Sequence, residues 1–365
     1  MKKLLALLLA VVMVFAMAAC SKDTPDTSDK TPAVSDNAPS TPDATPETPD
    51  ATPETPAEPV EVNVAYMANW GALWAVATAD AKGYFEEEGL TVVMTPFQDG
   101  PTEIAAMEQG SIDISYIGPG AHKLCAQGKA EVVLLQHLGD GDCIIGLNGV
   151  TKLEDLRGKK VAYAAGTSSE TILTTALASV GMTMDDIEAM NMNASNMVSA
   201  AVGGTVDAVA AWSPSSLKIL KEVEGSVDMC SNVDFDGLAS PGSWVVNPAW
   251  ADENEETIVK FLRAMYKGMD YAAAATTDDA VASEVAGYIA AIIASDEATV
   301  LEQRYDGSWM TSAQMQEMLN NGGMVKVYAD QRANFISSGA ITEEQATHTA
   351  EQFILTDLMN QAFGE

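Results

Sequence analysis

The sequence predicts an α/β protein with two lobes. Through the first half of the chain, strand-like apolar segments alternate with helix-like segments, and short glycine-containing turns separate them. This alternation restarts near residue 153, and the chain is mostly helical from about residue 249 onward. Strands that alternate with helices predict a parallel sheet with helices on both faces, so a restart predicts a second sheet. We therefore expect two α/β lobes, followed by helices that pack back on the first lobe.

The N-terminal segment predicts export and a lipid anchor. Lys2-Lys3 precede the apolar run Leu4 to Met17, and the small residues Ala18-Ala19 stand before Cys20. An apolar run of this length with these flanks is typical of a signal peptide rather than a membrane-spanning helix. The segment that ends at Cys20 resembles the lipobox of bacterial lipoproteins, which implies an acylated N-terminus there. We expect a signal peptide over residues 1–19 and a lipid anchor on the extracytoplasmic face of the cell membrane. The alternative is a plain signal peptide with an incidental cysteine.

Residues 20–59 predict a disordered spacer behind the lipidated cysteine. The stretch consists almost wholly of Thr, Pro, Asp, Glu, Ser and Ala, and Asp43 to Pro49 is repeated as Asp50 to Pro56. Such a composition buries too little apolar surface to offset the entropy of ordering. Proline favours an extended chain of about 3.1 Å per residue, which gives a reach on the order of 100 Å. The spacer can therefore hold the folded region clear of the membrane.

Charge and cysteine content exclude several classes of partner. The formal net charge of −33 at pH 7 repels nucleic acid and anionic lipid surfaces, so neither is expected to bind. Besides Cys20, the chain contains Cys125, Cys143 and Cys230, which are too few for a disulfide framework. No spacing of Cys or His is typical of a metal site. We expect buried thiols, with one bridged pair as the alternative, and neither a metal nor another cofactor.

The elements of the first lobe follow in order. Glu61 to Tyr66 predicts a strand, a turn follows at Asn69 to Gly71, and a helix runs to about Lys82, where Gly83 ends it. The later elements are a strand at 90–96, a helix at 101–109, a strand at 112–117, a short helix that ends at Gly128, and a strand at 132–136. Each helix therefore joins two strands, as a parallel sheet requires.

The second lobe repeats this order. The strand Val161 to Ala164 leads into the turn Gly166 to Ser169. Gly110 to Pro119 also aligns with Gly204 to Pro214, because each has a helix stop, a strand with an early aspartate and a proline-led helix start. The alternative explanation of this similarity is that all α/β units look alike. The tail is predicted as helices at 255–274, 279–294, 311–320 and 342–363.

Several motifs in this order resemble those of a known family. They are Gly83-Tyr-Phe-Glu-Glu-Glu-Gly89, Gly110-Ser-Ile-Asp113, Leu153 to Val161 followed by Gly166 to Ser169, and Gly204-Thr-Val-Asp207. The chain is similar to the periplasmic-type solute-binding proteins of ABC importers, in the nitrate/sulfonate/taurine branch, which shares its fold with thiamine-precursor-binding proteins. The resemblance implies a type II periplasmic-binding-protein fold, with two lobes, a cleft and a two-crossover hinge.

The resemblance also implies how the chain divides between the lobes. The first lobe is expected to comprise residues 60–147 and 247–365, and the second lobe residues 148–246. The crossovers are expected near Leu147-Asn148 and Ser243 to Asn247, where a hinge motion would close the lobes.

The candidate binding site lies at four turns. In open α/β sheets, ligands bind beyond the carboxyl ends of the strands, where helix N-termini present free N–H groups. The expected ligand-binding residues are Asn69, Trp70, Gly118, Pro119, Gly120, Thr167, Ser168, Ser169, Trp212 and Trp244. The glycines let the backbone approach a ligand, the hydroxyls donate hydrogen bonds, and the tryptophans wall the ligand from water. Structural alternatives exist, since Thr167 and Glu170 match a capping box and Trp244 suits strand packing.

These features predict a tethered receptor and not an enzyme. We expect a monomer that captures a small organic anion, such as an alkyl sulfonate, taurine or nitrate, and delivers it to ABC permease subunits. Few basic residues fall at the four turns, so helix N-termini and hydroxyls would stabilise the anion. One alternative is transport of a flat thiamine- or riboflavin-precursor heterocycle, which the tryptophans suit. The others are an enzyme similar to the thiamine-pyrimidine synthases and a surface receptor without transport.

Overall fold

The computed structural model describes residues 58–364. The predicted signal peptide, the predicted anchor at Cys20 and nearly all of the predicted spacer lie outside these residues. Within residues 58–364, no helix combines the length and the apolar character needed to cross a membrane. The described region is built on two β-sheets, and the residues around each sheet form one lobe.

Strands and helices alternate along most of the described chain. The strands are β1 (Val60–Met67), β2 (Leu90–Phe97), β3 (Ile114–Ile117), β4 (Glu131–Gly139), β5 (Cys143–Gly146), β6 (Lys160–Tyr163), β7 (Glu188–Asn191), β8 (Ala208–Ala211), β9 (Val227–Ser231), β10 (Ser240–Val246) and β11 (Gly307–Trp309). The helices are α1 (Trp70–Leu73), α2 (Val76–Ala81), α3 (Tyr84–Glu87), α4 (Gly100–Glu108), α5 (His122–Ala126), α6 (Ser168–Ser179), α7 (Ala194–Val202), α8 (Ser215–Glu222), α9 (Pro248–Glu253), α10 (Glu255–Ala272), α11 (Asp279–Ile293), α12 (Glu297–Leu301), α13 (Ser312–Asn320), α14 (Gly323–Ser337), α15 (Ala350–Phe353) and α16 (Thr356–Phe363).

The two sheets share one topology. The first lobe has the strand order β11-β4-β10-β3-β1-β2, and the second lobe has β7-β6-β8-β5-β9. Apart from the antiparallel edge strand β11, which only the first sheet has, the two orders correspond. In each sheet three neighbouring strands are parallel, β2-β1-β3 and β7-β6-β8, whereas β10 and β5 run antiparallel to their neighbours. These two strands arrive from the opposite lobe, which is why neither sheet is purely parallel as the sequence suggested. The predicted class of two similar α/β lobes is confirmed.

Asp113 and Asp207 show why the two halves of the sequence resemble each other. The carboxylate of Asp113, just before β3, accepts a hydrogen bond from the backbone N–H of Asn63 in β1 at 2.7 Å. The carboxylate of Asp207, just before β8, accepts one from the backbone N–H of Lys160 in β6 at 3.0 Å. Each aspartate therefore joins two neighbouring parallel strands of its own sheet, β1 to β3 and β6 to β8, and neither lines the cleft described below.

The chain crosses between the lobes at two places that differ from the predicted hinge. It leaves the first sheet after β4 and enters the second at β5 through residues 140–142, and it returns between β9 and β10 through residues 232–239. The crossovers predicted at Leu147-Asn148 and Ser243 to Asn247 are therefore wrong, and the lobe boundaries that rest on them move as well. The physical reason is that β5 and β10 each pair with the sheet that the chain is entering.

The C-terminal helices cover the first lobe, where α10 contacts α2, α3 and α16. The predicted helix at 342–363 is wrong in its first part, since only α15 and α16 are helical there. Hydrogen bonds to other elements hold the preceding segment in an irregular conformation. The N–H of His348 donates to the carbonyl of Ala126 at 2.9 Å, and the guanidinium of Arg332 donates to the carbonyls of Ala346 and His348. Helix α14 was not predicted, and it begins at a glycine pair that normally signals a turn.

The apolar core is divided between the lobes. Successive residues of β5 point to opposite faces of the second sheet, so Cys143 and Ile145 join one buried cluster and Ile144 joins the other. Cys125 and Cys143 are buried free thiols and Cys230 is a half-buried one, which agrees with the first of the two predicted thiol states.

Candidate functional site

A cavity of about 90 Å³ lies between the two sheets. On the same measure a single water needs roughly 10–15 Å³, so the cavity can hold a small organic molecule. Its lining consists of Met67, Asn69, Trp70, Gly71, Gly100, Pro101, Tyr116, Gly118, Pro119, Ala121, His137, Gly139, Gly141, Asp142, Thr167, Ser168, Trp212, Ser213, Ser240, Pro241, Gly242, Gln303, Asp306 and Trp309. Most of these residues follow the carboxyl ends of parallel strands or belong to the first crossing, and three more begin β10, directly after the second crossing. The cavity is therefore built where the fold places both lobes and the hinge side by side.

The turn after β1 positions Asn69 and Trp70 at the cavity. The side-chain oxygen of Asn69 accepts a hydrogen bond from the N–H of Ala72 at 2.8 Å and so caps α1. The N–H of Trp70 donates to the side-chain oxygen of Gln303 at 3.0 Å, so this helix start is already satisfied within the protein. Trp70 is almost fully buried, with 1% of the residue exposed. Both residues line the cavity, where Trp70 contributes an aromatic wall.

The turn after β3 brings the two lobes together. Gly118 and Pro119 line the cavity, as does Thr167 of the second lobe. A Cβ atom added to Gly120 would lie 2.0 Å from the carbonyl carbon of Thr167, whereas one added to Gly118 would meet only a side-chain carbon at 4.0 Å. Gly120 is not among the lining residues, so the structure places it at the contact between lobes rather than against a ligand.

The residues at the start of α6 that were predicted to bind a ligand do not all face the cavity. Ser168 lines the cavity together with Thr167. Ser169 does not, because its buried hydroxyl donates to the carbonyl of Ala210 at 2.7 Å and accepts from the N–H of Ala164 at 2.9 Å. These bonds join α6 to the edges of β6 and β8. Ser169 therefore has a structural position inside the second lobe.

Two ion pairs join the lobes beside the cavity. The carboxylate of Glu170, in α6, accepts hydrogen bonds from the N–H of Gly166 at 2.9 Å and from the ammonium of Lys123 in the first lobe at 3.2 Å. The ammonium of Lys221, in α8, lies 2.7 Å from the carboxylate of Glu302 in the first lobe. With the close approach at Gly120, these contacts show that the lobes meet across the cleft.

The tryptophans also separate into two groups. Trp212 lines the cavity, but Trp244 is fully buried in β10 and lies outside the lining. The indole N–H of Trp244 donates to the side-chain oxygen of Gln136 at 3.0 Å, and its ring packs against Tyr116. The position predicted for Trp244 at the cleft is therefore wrong, because its strand is central in the sheet and its side chain points into the core.

The sequence analysis missed an aromatic and acidic part of the lining. Trp309 packs against Trp70 with ring centroids 6.3 Å apart and against His137 with centroids 4.7 Å apart. Burial lowers the pKa of His137 to about 3, so its ring is neutral at physiological pH. Asp142 and Asp306 add two carboxylates. The sequence pattern points only to turns that follow a strand and begin a helix. Asp142 lies instead in the first crossing, and Asp306 lies just before the edge strand β11.

The comparisons with known proteins agree with this architecture. The family model described as NMT1/THI5 like matches residues 73–278, which are more than half of the chain. The chain belongs to the NMT1/THI5-like family. A protein of Brucella abortus (strain 2308) that is named only as a binding protein is 29% identical over 269 residues, 73% of this chain and 82% of the relative. The taurine-binding periplasmic protein of Escherichia coli (strain K12) is 27% identical over 211 residues, 57% of this chain and 65% of the relative.

A solved structure shows which fold this family member has. The alkanesulfonate-binding protein SsuA from Xanthomonas axonopodis pv. citri, bound to MOPS, matches with a TM-score of 0.62 at 19% identity. The match covers 82% of this chain and 99% of that one. The family member described here therefore has the two-lobed periplasmic-binding-protein fold that the sequence predicted.

Proposed function

We propose that the chain captures a small solute between its lobes outside the cytoplasm and delivers it to ABC permease subunits in the membrane. One observation carries this proposal: residues of both lobes line the same cavity, together with Gly141 and Asp142 of the first crossing and the start of β10, where the second crossing ends. A solute there gains its full set of contacts only when the lobes are close. Its binding energy therefore favours the closed arrangement, which is what a permease must distinguish from the open one.

The sequence supports the predicted attachment and oligomeric state of the protein. The chain acts as a monomer without a cofactor, held to the membrane through acylated Cys20 and separated from it by the acidic spacer. The names of the relatives, which describe binding proteins, support binding rather than catalysis.

The two predicted ligand classes have different support. A small organic anion is supported by the names of the relatives, since one binds taurine and a solved structure binds alkanesulfonates. A flat heterocycle is supported by the lining itself, where Trp70, Tyr116, His137, Trp212 and Trp309 form aromatic walls. Neither Lys nor Arg lines the cavity within residues 58–364. The lining therefore favours a flat aromatic solute over an anion.

Thermal melting of the unacylated Cys20→Ser chain tests this function. The panel contains taurine, ethanesulfonate, nitrate and a series of nitrogen heterocycles. A solute that binds only the native state raises the melting temperature by mass action, so at least one member is expected to do so. Trp212→Ala should abolish that rise, whereas Trp250→Ala, which lies outside the lining, should retain it. A rise that survives Trp212→Ala, or no rise with any solute, would contradict binding in this cavity.

A further inference from the structure

The ionisable groups around the cavity give it a negative or neutral interior. Of the residue types Asp, Glu, His, Lys and Arg, the cavity lining within the described region contains Asp142, Asp306 and His137. His137 is neutral at physiological pH because burial lowers its pKa to about 3. Asp140, in the same crossing as Asp142, adds a further negative charge that acts on both carboxylates.

Asp142 is held at the cavity with one oxygen unpaired. Its side chain is buried, with 5% of the residue exposed, and one carboxylate oxygen accepts a hydrogen bond from the hydroxyl of Ser240 at 2.6 Å. The other oxygen is buried without a hydrogen-bond partner in the protein. Burial raises the pKa of Asp142, and hydrogen bonds from Ser168 and Ser240 oppose that rise. A buried acceptor of this kind is costly unless a donor pairs with it.

Asp306 supplies a second acceptor of the same kind from a different part of the chain. Its backbone carbonyl accepts from the N–H of Asp140 at 2.9 Å, which ties the segment before β11 to the first crossing. Its carboxyl carbon lies 3.5 Å from the point where a Cβ of Gly141 would stand, so the carboxylate rests against the residue next to Asp142. One of its oxygens is also buried without a partner. Two carboxyl groups from independent segments, each with one buried oxygen that lacks a partner, therefore line one cavity.

The aromatic walls complement these carboxylates. The faces of tryptophan and tyrosine attract cations through their quadrupole, and the attraction grows when the cation is removed from water. Trp70, Trp309 and Trp212 line the same cavity as Asp142 and Asp306. A flat body with a positive nitrogen group matches both features, whereas an anionic ligand would face two carboxyl groups and no Lys or Arg of the described residues.

We propose, on the basis of the function above, that this cavity selects a small organic cation, a flat nitrogen base whose N–H groups pair with Asp142 and Asp306. The two aspartates determine the charge of the ligand, and the aromatic residues determine its flat shape. An amidinium group suits this lining, because it is flat and positively charged and carries adjacent N–H donors that pair with carboxylate oxygens.

Three probes of nearly identical shape separate charge from size: benzamidinium, benzamide and benzoate. The protein is the full Cys20→Ser chain, studied by calorimetric titration at pH 7.5, with taurine and ethanesulfonate titrated in parallel. We expect benzamidinium to bind at least tenfold more tightly than benzamide, and benzoate not to bind. Asp142→Asn and Asp306→Asn should each weaken benzamidinium at least tenfold while benzamide binding is retained. Retained benzamide binding shows that the variants are folded. Asp185→Asn, an exposed change in the second lobe, should leave all affinities unchanged.

The other outcomes separate this inference from the proposed function. If benzoate, taurine or ethanesulfonate binds and the aspartate variants strengthen or leave that binding unchanged, the cavity takes an anion. The cation inference is then wrong, while the solute-binding function stands. If benzamidinium and benzamide bind equally, the carboxylates do not select charge and the inference is again wrong. If no probe of any charge binds, both the inference and the solute-binding function lose their support.

Discussion

Replacing Asp306 with asparagine is expected to stabilise the ligand-free protein at neutral pH and to leave its stability unchanged in acid. Burial raises the pKa of the Asp306 carboxyl from the ordinary value of 3.8 to about 6. The charge of Asp140 adds to that rise, and a hydrogen bond from Ser213 opposes it. Asp142 and the neutral His137 line the same cavity, and no Lys or Arg of residues 58–364 does so. The folded protein therefore holds the Asp306 proton more tightly than the unfolded chain does.

The sign and size of the effect follow from proton linkage. Below about pH 4, the carboxyl is protonated in both states and contributes no difference. Between about pH 4 and 6 the unfolded chain releases its proton first, so the free energy of unfolding falls as pH rises. Above about pH 6 the carboxyl is ionised in both states, and it lowers the free energy of unfolding by the full amount. A pKa difference of about two units corresponds to about 3 kcal/mol, and partial exposure of the side chain reduces our expectation to about 2 kcal/mol.

Urea unfolding of the Cys20→Ser chain, followed by tryptophan fluorescence between pH 4 and 7.5, measures this difference. The wild-type and Asp306→Asn proteins are first unfolded, dialysed and refolded to remove any bound solute. The gain in the variant should be near zero at pH 4 and about 2 kcal/mol at pH 7, while Asp185→Asn should show no such trend. A pH-independent difference, or a variant that is less stable at pH 7, would refute the argument that burial and an oxygen without a partner raise the pKa of Asp306.

The lobe contact and the α6 start give two further predictions. Gly120→Ala should weaken solute binding at least about tenfold, because the new methyl group would meet the backbone of Thr167 and push the two lobes apart at this contact. Gly118→Ala is the matched control. Calorimetric titration of both variants with the same solute measures the difference, and equal affinities would contradict the prediction. Ser169→Ala should lower the free energy of unfolding by about 2 kcal/mol, since two buried backbone groups lose their partner. Ser168→Ala should instead change the affinity for solute and leave the free energy of unfolding at its wild-type value. Urea unfolding and calorimetric titration of both serine variants measure the two quantities, and the opposite assignment of effects would contradict this prediction.

Much of the fold could be predicted from sequence because its signals are local. The apolar segments of β1, β2 and β3 and the glycines after them mark strand and helix ends within a few residues of their actual positions. The crossings could not be placed in this way. β5 and β10 have the same apolar character as any core strand, and only pairing across the molecule decides which sheet takes them.

The candidate site could also be predicted only in part from the sequence. Asn69, Trp70, Gly118, Pro119, Thr167, Ser168 and Trp212 line the cavity because the carboxyl ends of parallel strands fix their place. Trp244 and Ser169 stand near the same turns, but the side of the strand or helix on which they lie turns them inward. Asp142 and Asp306 carry no local pattern that distinguishes them from the many surface aspartates of this acidic chain. Their role emerges only when distant segments bury them together.

Small-angle X-ray scattering of the Cys20→Ser chain tests closure around a solute most directly. The measurement compares the ligand-free protein, the protein saturated with a solute that raises its melting temperature, and the Gly120→Ala variant with the same solute. We expect the solute to reduce the radius of gyration of the wild-type protein and to leave that of Gly120→Ala unchanged. An identical radius with and without bound solute, together with full affinity in Gly120→Ala, would show that binding does not require the lobes to close.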